Sequence, residues 1–373
     1  MKLRVERDAL TEALSAVAAA VPRRPSIPVL AGIRLRAEAD SASVAGFDHE
    51  VSAQSRIGGA EVGEPGTVLV SGRLLTEIAR ALPAYPVELF ADDARLEIVC
   101  GPTRFELPLM AVEDYPELPA APPTMGTVDC AQLRDAVNQV AIAAGRDDTL
   151  PMLTGINVEF HPAFLRLVST DRFRIAIRDL DWQPITPIDD QPPTGLLVPA
   201  RAFAETAKAL SGPHIDIAAC PNRTILGLST VGQHHTLRTL DLPYAPYQRY
   251  LEDRRTATAR LASAALAEAI KRVSLLSPRG HQIELTFTPT KARLSAGGGN
   301  EGNAEETIPA EFDGDPVTVA FNPRYLLEGL TATHTEYVEI ALNGPTRAAT
   351  LRAAGSEEHH DLRYVLMPVR LPG

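Results

Sequence analysis

The chain repeats one pattern three times, and this repetition limits the folds that are open to it. Apolar residues recur at i, i+4 and i+7 in three sets: Leu10, Leu14 and Val17; Leu133, Val137 and Val140; Leu266, Ile270 and Val273. This spacing places each set on one face of a helix. The first members of successive sets lie 123 and 133 positions apart, and a strand-like segment precedes each helix, over 3–6, 127–129 and 259–261. Such a period predicts tandem copies of one structural unit.

A second pattern recurs between these helices. The segments 68–77, 196–205 and 319–328 each read as an apolar strand, a two-residue break and a helix that opens with arginine. The arginines are Arg73, Arg201 and Arg324, each with a glutamate four positions later. Each copy therefore has two strand–helix halves. The six predicted helices are 8–20, 73–82, 131–146, 200–210, 263–277 and 323–330.

The remaining segments read as short strands separated by turn residues, as at 41–45, 165–169 and 283–287. The fold class that follows is α+β with antiparallel sheets. Breaks between the copies are proline-rich at 116–123 and charged at 252–255. The predicted domains are accordingly 1–122, 127–252 and 256–373.

The net charge of −11, from 36 basic and 47 acidic residues, argues against a protein that coats itself with nucleic acid. The charge is not uniform, however. The six predicted helices together are slightly positive, so the strands and loops carry the acidic excess.

The three repeated arginines lie in the first turn of their helices, where a cation opposes the helix dipole. From one copy alone, the simplest interpretation is an exposed Arg–Glu pair at i, i+4. The same position in three copies favours a shared contact with phosphate groups. A channel wide enough for duplex DNA needs about twelve helices around it, given helix spacings of about 8–10 Å. One chain supplies six, so two chains arranged head to tail would close a ring.

Several segments resemble the bacterial DNA polymerase III β subunits, the family of sliding clamps. The most specific are Ser-Thr-Asp-Arg-Phe-Arg at 169–174 and Tyr-Val-Leu-Met-Pro-Val-Arg-Leu at 364–371; 1–7, 24–30 and 105–119 also match. The ending, 366–373, is similar to those of actinobacterial members. The resemblance implies three tandem clamp domains with sheets outside and two helices per domain inside. It implies a homodimeric ring around double-stranded DNA, a processivity factor that tethers the replicative polymerase and is not an enzyme.

The resemblance also implies where DNA binds. Arg24 and Arg73 match family DNA contacts, Arg146 matches less closely, and the repeat adds Arg201. Next to Arg146 the chain departs from better-studied clamps with Asp147, an acidic residue that would be unfavourable against DNA.

Clamps bind the polymerase catalytic subunit, the clamp loader and other proteins with a clamp-binding motif through a pocket between the second and third domains. The matching positions are Leu153, Thr170, Arg172, Phe173, Arg174, Arg249, Val365, Met367, Pro368, Val369, Arg370 and Leu371. Adaptable apolar side chains with arginine anchors suit peptide recognition.

The pocket rim departs from the family pattern at Ala245, Tyr250 and Glu252. An alternative interpretation follows, in which the chain is a variant or second-copy clamp that serves the polymerase while rejecting a pocket-directed inhibitor.

The resemblance places the dimer interface between a basic, apolar edge of the first domain and an acidic edge of the third. The positions are Arg104 and Leu107 on the first edge, and Leu275, Leu276, Glu301, Glu305 and Glu306 on the second.

Other signals are weak. The pairs His234–His235 and His359–His360 are adjacent and point apart on a strand, so we expect surface histidines rather than metal ligands. No metal, cofactor or catalytic motif is evident.

Three scattered cysteines and a longest uncharged segment of 14 residues, 224–237, favour a cytoplasmic protein without a membrane span. The competing classes are an enzyme, such as a hydrolase, and a non-replicative scaffold protein.

Overall fold

The computed structural model describes residues 1–22, 24–187, 195–251, 255–277, 282–297, 302–355 and 361–369. The α-helices in these residues are α1 Arg7–Val17, α2 Gly72–Ala81, α3 Cys130–Ala141, α4 Ala200–Ala209, α5 Ser263–Val273 and α6 Pro323–Ala332. Short 3₁₀ helices lie at Ala18–Ala20, Pro28–Ala31, Val112–Asp114, Pro151–Leu153, Gln248–Tyr250 and Ser274–Leu276.

The strands, in chain order, are β1 Lys2–Val5, β2 Gly32–Glu38, β3 Ser41–Phe47, β4 Val51–Ile57, β5 Glu61–Glu64, β6 Gly66–Ser71, β7 Val87–Ala91, β8 Arg95–Cys100, β9 Thr103–Met110, β10 Thr124–Asp129, β11 Gly155–Phe160, β12 Phe164–Thr170, β13 Arg174–Asp181, β14 Gln183–Pro184, β15 Gly195–Pro199, β16 His214–Ala219, β17 Ile225–Thr230, β18 Gln233–Arg238, β19 Ala257–Ala262, β20 Ile283–Thr288, β21 Lys291–Gly297, β22 Asn303–Pro309, β23 Glu311–Asp313, β24 Val317–Phe321, β25 Tyr337–Leu342, β26 Ala349–Ala353 and β27 Arg363–Leu366. All pairings between them are antiparallel, and the α+β class is confirmed.

Each α-helix follows a strand closely, as the two repeated patterns predict. Side-chain oxygens at three of these junctions accept backbone N–H groups of the first helical turn: Ser71 for α2, Asp129 for α3 and Asn322 for α6, at 2.9–3.5 Å. Such caps satisfy donors that have no partner inside the helix. Pro323 occupies the first position of α6, where proline has no amide proton to lose.

The three apolar sets predicted from the sequence are the buried faces of α1, α3 and α5, and every member is at most 2% exposed. The predicted end of the third helix at 146 is wrong, since α3 ends at Ala141. The chain turns back after it: the Gly145 amide donates to the Leu153 carbonyl at 2.7 Å. Residues 142–150 therefore form turns and a loop, which lead into the short 3₁₀ helix Pro151–Leu153.

The chain divides into two compact units. The first comprises Met1–Arg134, Trp182–Pro187 and Arg201–Thr239, and the second Asp135–Asp181, Ile188–Ala200 and Leu240–Gly373. The first unit contains one 14-stranded sheet, ordered β14-β10-β16-β17-β18-β4-β3-β2-β6-β9-β8-β7-β1-β5. The second contains a nine-stranded sheet, β15-β11-β12-β13-β27-β26-β25-β19-β23, and a four-stranded sheet, β22-β21-β20-β24.

Strand pairing explains why the compact units differ from the three predicted domains. Within the first unit, β18 pairs with β4, and the hydroxyls of Ser52 and Thr236 lie 2.7 Å apart across this pair. Within the second, β13 pairs with β27, with Ala176 opposite Tyr364. Both sheets thus run across a predicted domain boundary. The boundaries at 122/127 and 252/256 stay a prediction.

The histidine pairs need a correction. His234 is exposed, but His235 is only 1% exposed, so the expectation of a surface residue is wrong there. Adjacent residues on β18 face opposite sides of the sheet, and His235 lies between Ala53 of β4 and Leu228 of β17. His359 and His360 lie outside the described residues.

Candidate partner-binding groove

A groove of about 440 Å³ opens in the second unit. Three segments line it: the loop after α3, the loop between β12 and β13, and the first turn of α6. The lining residues are Ala144, Gly145, Arg146, Asp147, Leu150, Leu153, Asp171, Arg172, Phe173, Arg174, Arg324 and Tyr325.

The loop between β12 and β13 is folded by its own side chains. The Thr170 hydroxyl accepts the Arg172 amide at 3.1 Å and donates to the Arg174 carbonyl at 2.7 Å. The Asp171 carboxylate accepts the amides of Phe173 and Arg174 at 3.0 and 3.1 Å. Threonine and aspartate favour such local bonds, which hold the tight turn where β12 and β13 stop pairing. Thr170 therefore shapes the groove from behind its surface.

Arg174 is the buried centre of the groove. Its guanidinium donates to Asp171 at 3.0 Å, to the Tyr364 hydroxyl at 3.0 Å and to Glu328. It also lies 4.3 Å from the centre of the Tyr325 ring. Burial opposes the charge of Arg174, but Tyr364, Glu328 and Asp171 outweigh that effect and raise its pKa above the usual value. The guanidinium is thus a permanent cation that joins the loop, α6 and β27.

Tyr364 and α6 fit together closely. The Tyr364 hydroxyl donates to the Tyr325 carbonyl at 3.0 Å, and burial raises the pKa of this phenol. A Cβ atom on Gly329 would approach the Tyr364 ring to 2.5 Å. Glycine in the middle of α6 therefore allows the close approach that places Tyr325 at the groove.

An apolar cluster lies beside the groove. Its buried members are Val168, Ile175, Ile177, Tyr247 and Val365, and Tyr244, Tyr250, Leu251, Ala348 and Met367 pack against it. The Tyr247 hydroxyl donates to the buried Glu159 carboxylate at 2.7 Å, which fixes the ring. Arg249 is exposed and stacks over the Tyr250 ring at 4.7 Å.

The tail after β27 connects the groove to this cluster. The Met367 amide donates to the Phe173 carbonyl at 2.9 Å, and the Val369 amide donates to the Ala320 carbonyl at 2.8 Å. Pro368 lies between them, and Arg370 and Leu371 are outside the described residues. Of the predicted pocket positions, Leu153, Arg172, Phe173 and Arg174 line the groove, Thr170 supports its loop, and Val365 and Met367 belong to the adjoining cluster. Arg249 contacts Tyr250 beside that cluster, and Pro368 and Val369 continue the tail. Their role in binding stays a prediction.

Sequence reasoning missed several groove residues. Tyr325 and Leu150 carry no motif of their own, and Asp171 was passed over within a recognised segment. Arg324 was singled out only as a repeated helix arginine, and Arg146 only as a DNA contact, yet both line the groove. The one sequence feature that points to Tyr325 is that it follows Arg324 in the first turn of a repeated helix.

The repeated helix arginines form the ion pairs that the simplest interpretation predicts. Distances are 3.2 Å for Arg73–Glu77, 3.1 Å for Arg201–Glu205 and 2.9 Å for Arg324–Glu328. Arg73, Arg201 and Arg24 are all exposed. Their contact with DNA stays a prediction, as does that of Arg146.

The predicted interface residues are also paired inside the chain. Arg104 of β9 contacts Glu97 at 2.9 Å and Glu106 at 3.4 Å. Glu305 and Glu306 of β22 contact Arg293 at 3.5 Å and Arg272 at 2.6 Å, respectively.

Among the apolar interface candidates, Leu275 is 82% exposed, Leu276 is half-buried and Leu107 is buried. Glu301 lies outside the described residues. The interface role of these residues stays a prediction, with Leu275 the apolar side chain that is free to contact a second chain.

In the described part of the chain, no three metal-ligating side chains come together. None of the helices described has the length and apolar character to span a bilayer.

Comparison with known proteins identifies the family. Three domain families match: DNA polymerase III beta subunit, N-terminal domain, over residues 1–119; central domain, over 127–241; and C-terminal domain, over 251–370. The beta sliding clamp of Streptomyces coelicolor is 41% identical over the full length of both chains, and the beta sliding clamp homolog GriR of Streptomyces muensis is 36% identical over 99% of each.

Among solved structures, the DNA polymerase III subunit beta of Pseudomonas aeruginosa superposes with a TM-score of 0.90 at 27% identity, covering all of both chains. The same values hold for the sliding clamp of that organism bound to griselimycin. The resemblance seen in the sequence motifs is therefore confirmed, and the chain belongs to the DNA polymerase III β-subunit family of bacterial sliding clamps.

Proposed function

We propose that two chains join head to tail into a ring around double-stranded DNA, and that the groove of each chain tethers the replicative polymerase. The observation that carries this is the groove itself. The loop around Arg174 and the apolar cluster meet at the Phe173–Met367 hydrogen bond. Together they form a surface that suits a short peptide with apolar anchors. The protein is a processivity factor without catalytic activity of its own. The clamp loader and other clamp-binding proteins use the same groove, and the protein acts in the cytoplasm.

Two open strand edges support the dimer. β22 is the edge strand of the four-stranded sheet, and β9 pairs with β8 along most of its length but with β6 only at Leu109 and Met110. Unpaired strand edges join readily to another chain. Because Arg104, Glu305 and Glu306 are neutralised inside the chain, we infer that backbone pairing and Leu275 contribute more to the dimer than ion pairs between chains do.

DNA contact in this proposal is weak and independent of sequence. Arg24, Arg73, Arg146 and Arg201 face phosphate groups, and Arg73 and Arg201 exchange a glutamate partner for phosphate as they do so. Contacts of this kind are salt-sensitive and carry no base specificity. Enclosure by the ring, rather than contact energy, keeps the protein on DNA.

The groove assignment predicts the effect of removing apolar anchors. Replacing Met367 and Leu371 together by alanine is expected to lower the affinity for a polymerase-derived peptide by about 10–100-fold, because central apolar anchors dominate peptide affinity. Fluorescence polarisation measures the affinity, and sedimentation measures the dimer, which we expect to be unchanged.

The matched control is Val231→Ala, which removes a fully exposed apolar side chain from the β17–β18 turn of the first unit. This variant is expected to bind peptide as the parent does. Parental affinity in the double variant would show that the groove is assigned wrongly, and dissociation to monomers would show that an interface has been mistaken for a binding site.

A second candidate function is an inhibitor-tolerant variant clamp. Tyr250, which departs from the family pattern, packs on the apolar cluster beside the groove and has Arg249 over its ring, so a ligand that extends from the groove onto this cluster meets an altered surface. The greater identity to the Streptomyces coelicolor clamp favours the ordinary replicative role. Griselimycin is the probe that separates the two roles, since tolerance requires that it bind weakly while polymerase peptide binds well.

A further inference from the structure

The connection between β25 and β26, residues 343–348, contains the one Asn-Gly sequence of the chain, Asn343–Gly344. Every other asparagine is followed by a residue that carries a side chain. Glycine has no Cβ atom to shield its own backbone nitrogen from the side chain before it. Asn343 is half-buried, and the connection is exposed from Pro345 to Arg347, so water reaches this segment.

The backbone at Gly344 leaves its amide nitrogen open. Its φ angle is +91°, in the left-handed region, and a Cβ atom built there would meet no atom within 4 Å. Among the residues that the structure describes, the Gly344 amide and the Asn343 carboxamide have no hydrogen-bond partner. An amide N–H without an acceptor gives up its proton to solvent more readily than one that is held. The nitrogen and the carboxamide next to it are therefore both free to react.

A second asparagine has the opposite arrangement. Asn222 is exposed in the turn between β16 and β17, and the residue after it, Arg223, also has a positive φ, +58°. However, the Arg223 amide donates to the Cys220 carbonyl at 2.8 Å. The Asn222 carboxamide oxygen accepts the Thr224 hydroxyl at 2.9 Å. Both groups that would react at Asn222 are thus held by neighbours.

We propose that Asn343 is a self-modifying site, which converts into aspartate and isoaspartate through a cyclic imide with Gly344. The backbone nitrogen of Gly344 attacks Cγ of Asn343 and forms a bond to it. The bond between Cγ and Nδ2 breaks, and Nδ2 leaves as ammonia after taking up, through solvent, the proton that the Gly344 amide loses.

Water then opens the imide at one of its two carbonyl carbons. Cleavage of the new bond at Cγ gives aspartate, and cleavage of the original peptide bond gives isoaspartate. In either case water is consumed and ammonia is released, and no oxidant or reductant takes part. Both products place a carboxylate in the connection, and isoaspartate also lengthens its backbone by a carbon atom. The change lies close to Ala349, which pairs with Leu366 of β27.

Mass spectrometry of the incubated full-length protein tests the proposal. The folded parent is kept at about pH 8, and its tryptic fragment 325–347 is separated into asparagine, aspartate and isoaspartate forms. Asn343 is expected to convert at least about tenfold faster than Asn222, because a free amide lowers the barrier to attack. Isoaspartate is the diagnostic product, since direct hydrolysis of the carboxamide yields aspartate alone. N343Q should give neither product at this position.

R223G is the matched control, because it creates a second Asn-Gly sequence, at 222–223, whose amide donates to Cys220 in the parent. Both sites are then compared in one molecule under the same conditions. Asn222 of this variant is expected to convert at less than about one-tenth of the rate at Asn343. The parent unfolded in urea gives a second reference that does not depend on R223G. Folded and unfolded parent should convert Asn343 at rates within about threefold of each other.

Three results would overturn the inference. A rate at Asn343 that is at least tenfold lower in the folded than in the unfolded parent would show that the connection protects it. Aspartate without isoaspartate would exclude the cyclic imide. Equal rates at Asn222 of R223G and at Asn343 would show that a following glycine is sufficient and that the free amide has no influence.

Discussion

Replacing Arg174 by alanine is expected to lower the free energy of unfolding by about 3–5 kcal/mol and to abolish peptide binding. The guanidinium is buried and joins Asp171, Glu328 and Tyr364, which come from three separate elements. Without it, the largely buried Asp171 carboxylate loses its cation, and the ring of Tyr325 loses the group stacked on it. The loop, α6 and β27 would then no longer be held in one arrangement.

Chemical denaturation followed by circular dichroism measures the stability, and fluorescence polarisation measures the peptide affinity. The control is Arg324→Ala, which also removes an ion pair with Glu328 but an exposed one. Exposed pairs contribute about 0–1 kcal/mol, so this variant should unfold much like the parent. A loss below about 1 kcal/mol in Arg174→Ala would contradict the central role given to its guanidinium.

The buried histidine of β18 is expected to make the first unit sensitive to acid. Burial, with a small contribution from His234, lowers the pKa of His235 to about 4. In the described residues neither ring nitrogen of His235 has a hydrogen-bond partner. The folded protein therefore keeps this imidazole neutral at a pH where the unfolded chain, with a histidine pKa of about 6.5, already binds a proton.

The direction of the effect follows from proton binding. Between about pH 6.5 and 4 the unfolded state binds more protons at this residue, so stability falls as the pH falls. The free energy of unfolding changes by up to about 1.4 kcal/mol per pH unit, and its total loss between about pH 6.5 and 4 is about 3 kcal/mol. Above about pH 6.5 His235 makes no contribution to the pH dependence.

His235→Leu tests this expectation against His234→Leu, its exposed neighbour. Denaturation midpoints at pH 7.5, 6 and 5 should fall with pH in the parent and in His234→Leu. They should fall distinctly less in His235→Leu. The same fall in all three proteins would show that His235 is not kept neutral in the folded state.

The sequence was sufficient for the local part of this fold. The apolar sets on α1, α3 and α5 follow from a period of 3.6 residues. The positions where helices begin follow from capping residues that lie within a few positions of them. The end of α3 was not predictable in this way, because the turn at Gly145 is fixed by the Leu153 carbonyl. The pairing of β18 with β4, and of β13 with β27, depends on register between residues 178 to 192 positions apart.

The groove residues likewise fall into those that a local motif predicts and those that depend on distant contacts. The loop 170–174 and the tail Met367–Val369 stand out as motifs, and both reach the site. Tyr325 and Glu328 do not, because their role arises only when α6 lies against Tyr364, 36 or more residues further along the chain. The burial of His235 was likewise hidden, since alternation along β18 shows that one histidine is covered but not which one.

Retention on circular DNA tests the central claim of enclosure most directly. The protein, loaded onto nicked circular duplex DNA by a bacterial clamp loader, is separated by gel filtration before and after a restriction enzyme linearises the circle. We expect the protein to elute with the circular DNA and to be lost from the linear product at the same salt concentration. Equal retention on circular and linear DNA would show that contact energy, and not a closed ring, holds the protein in place.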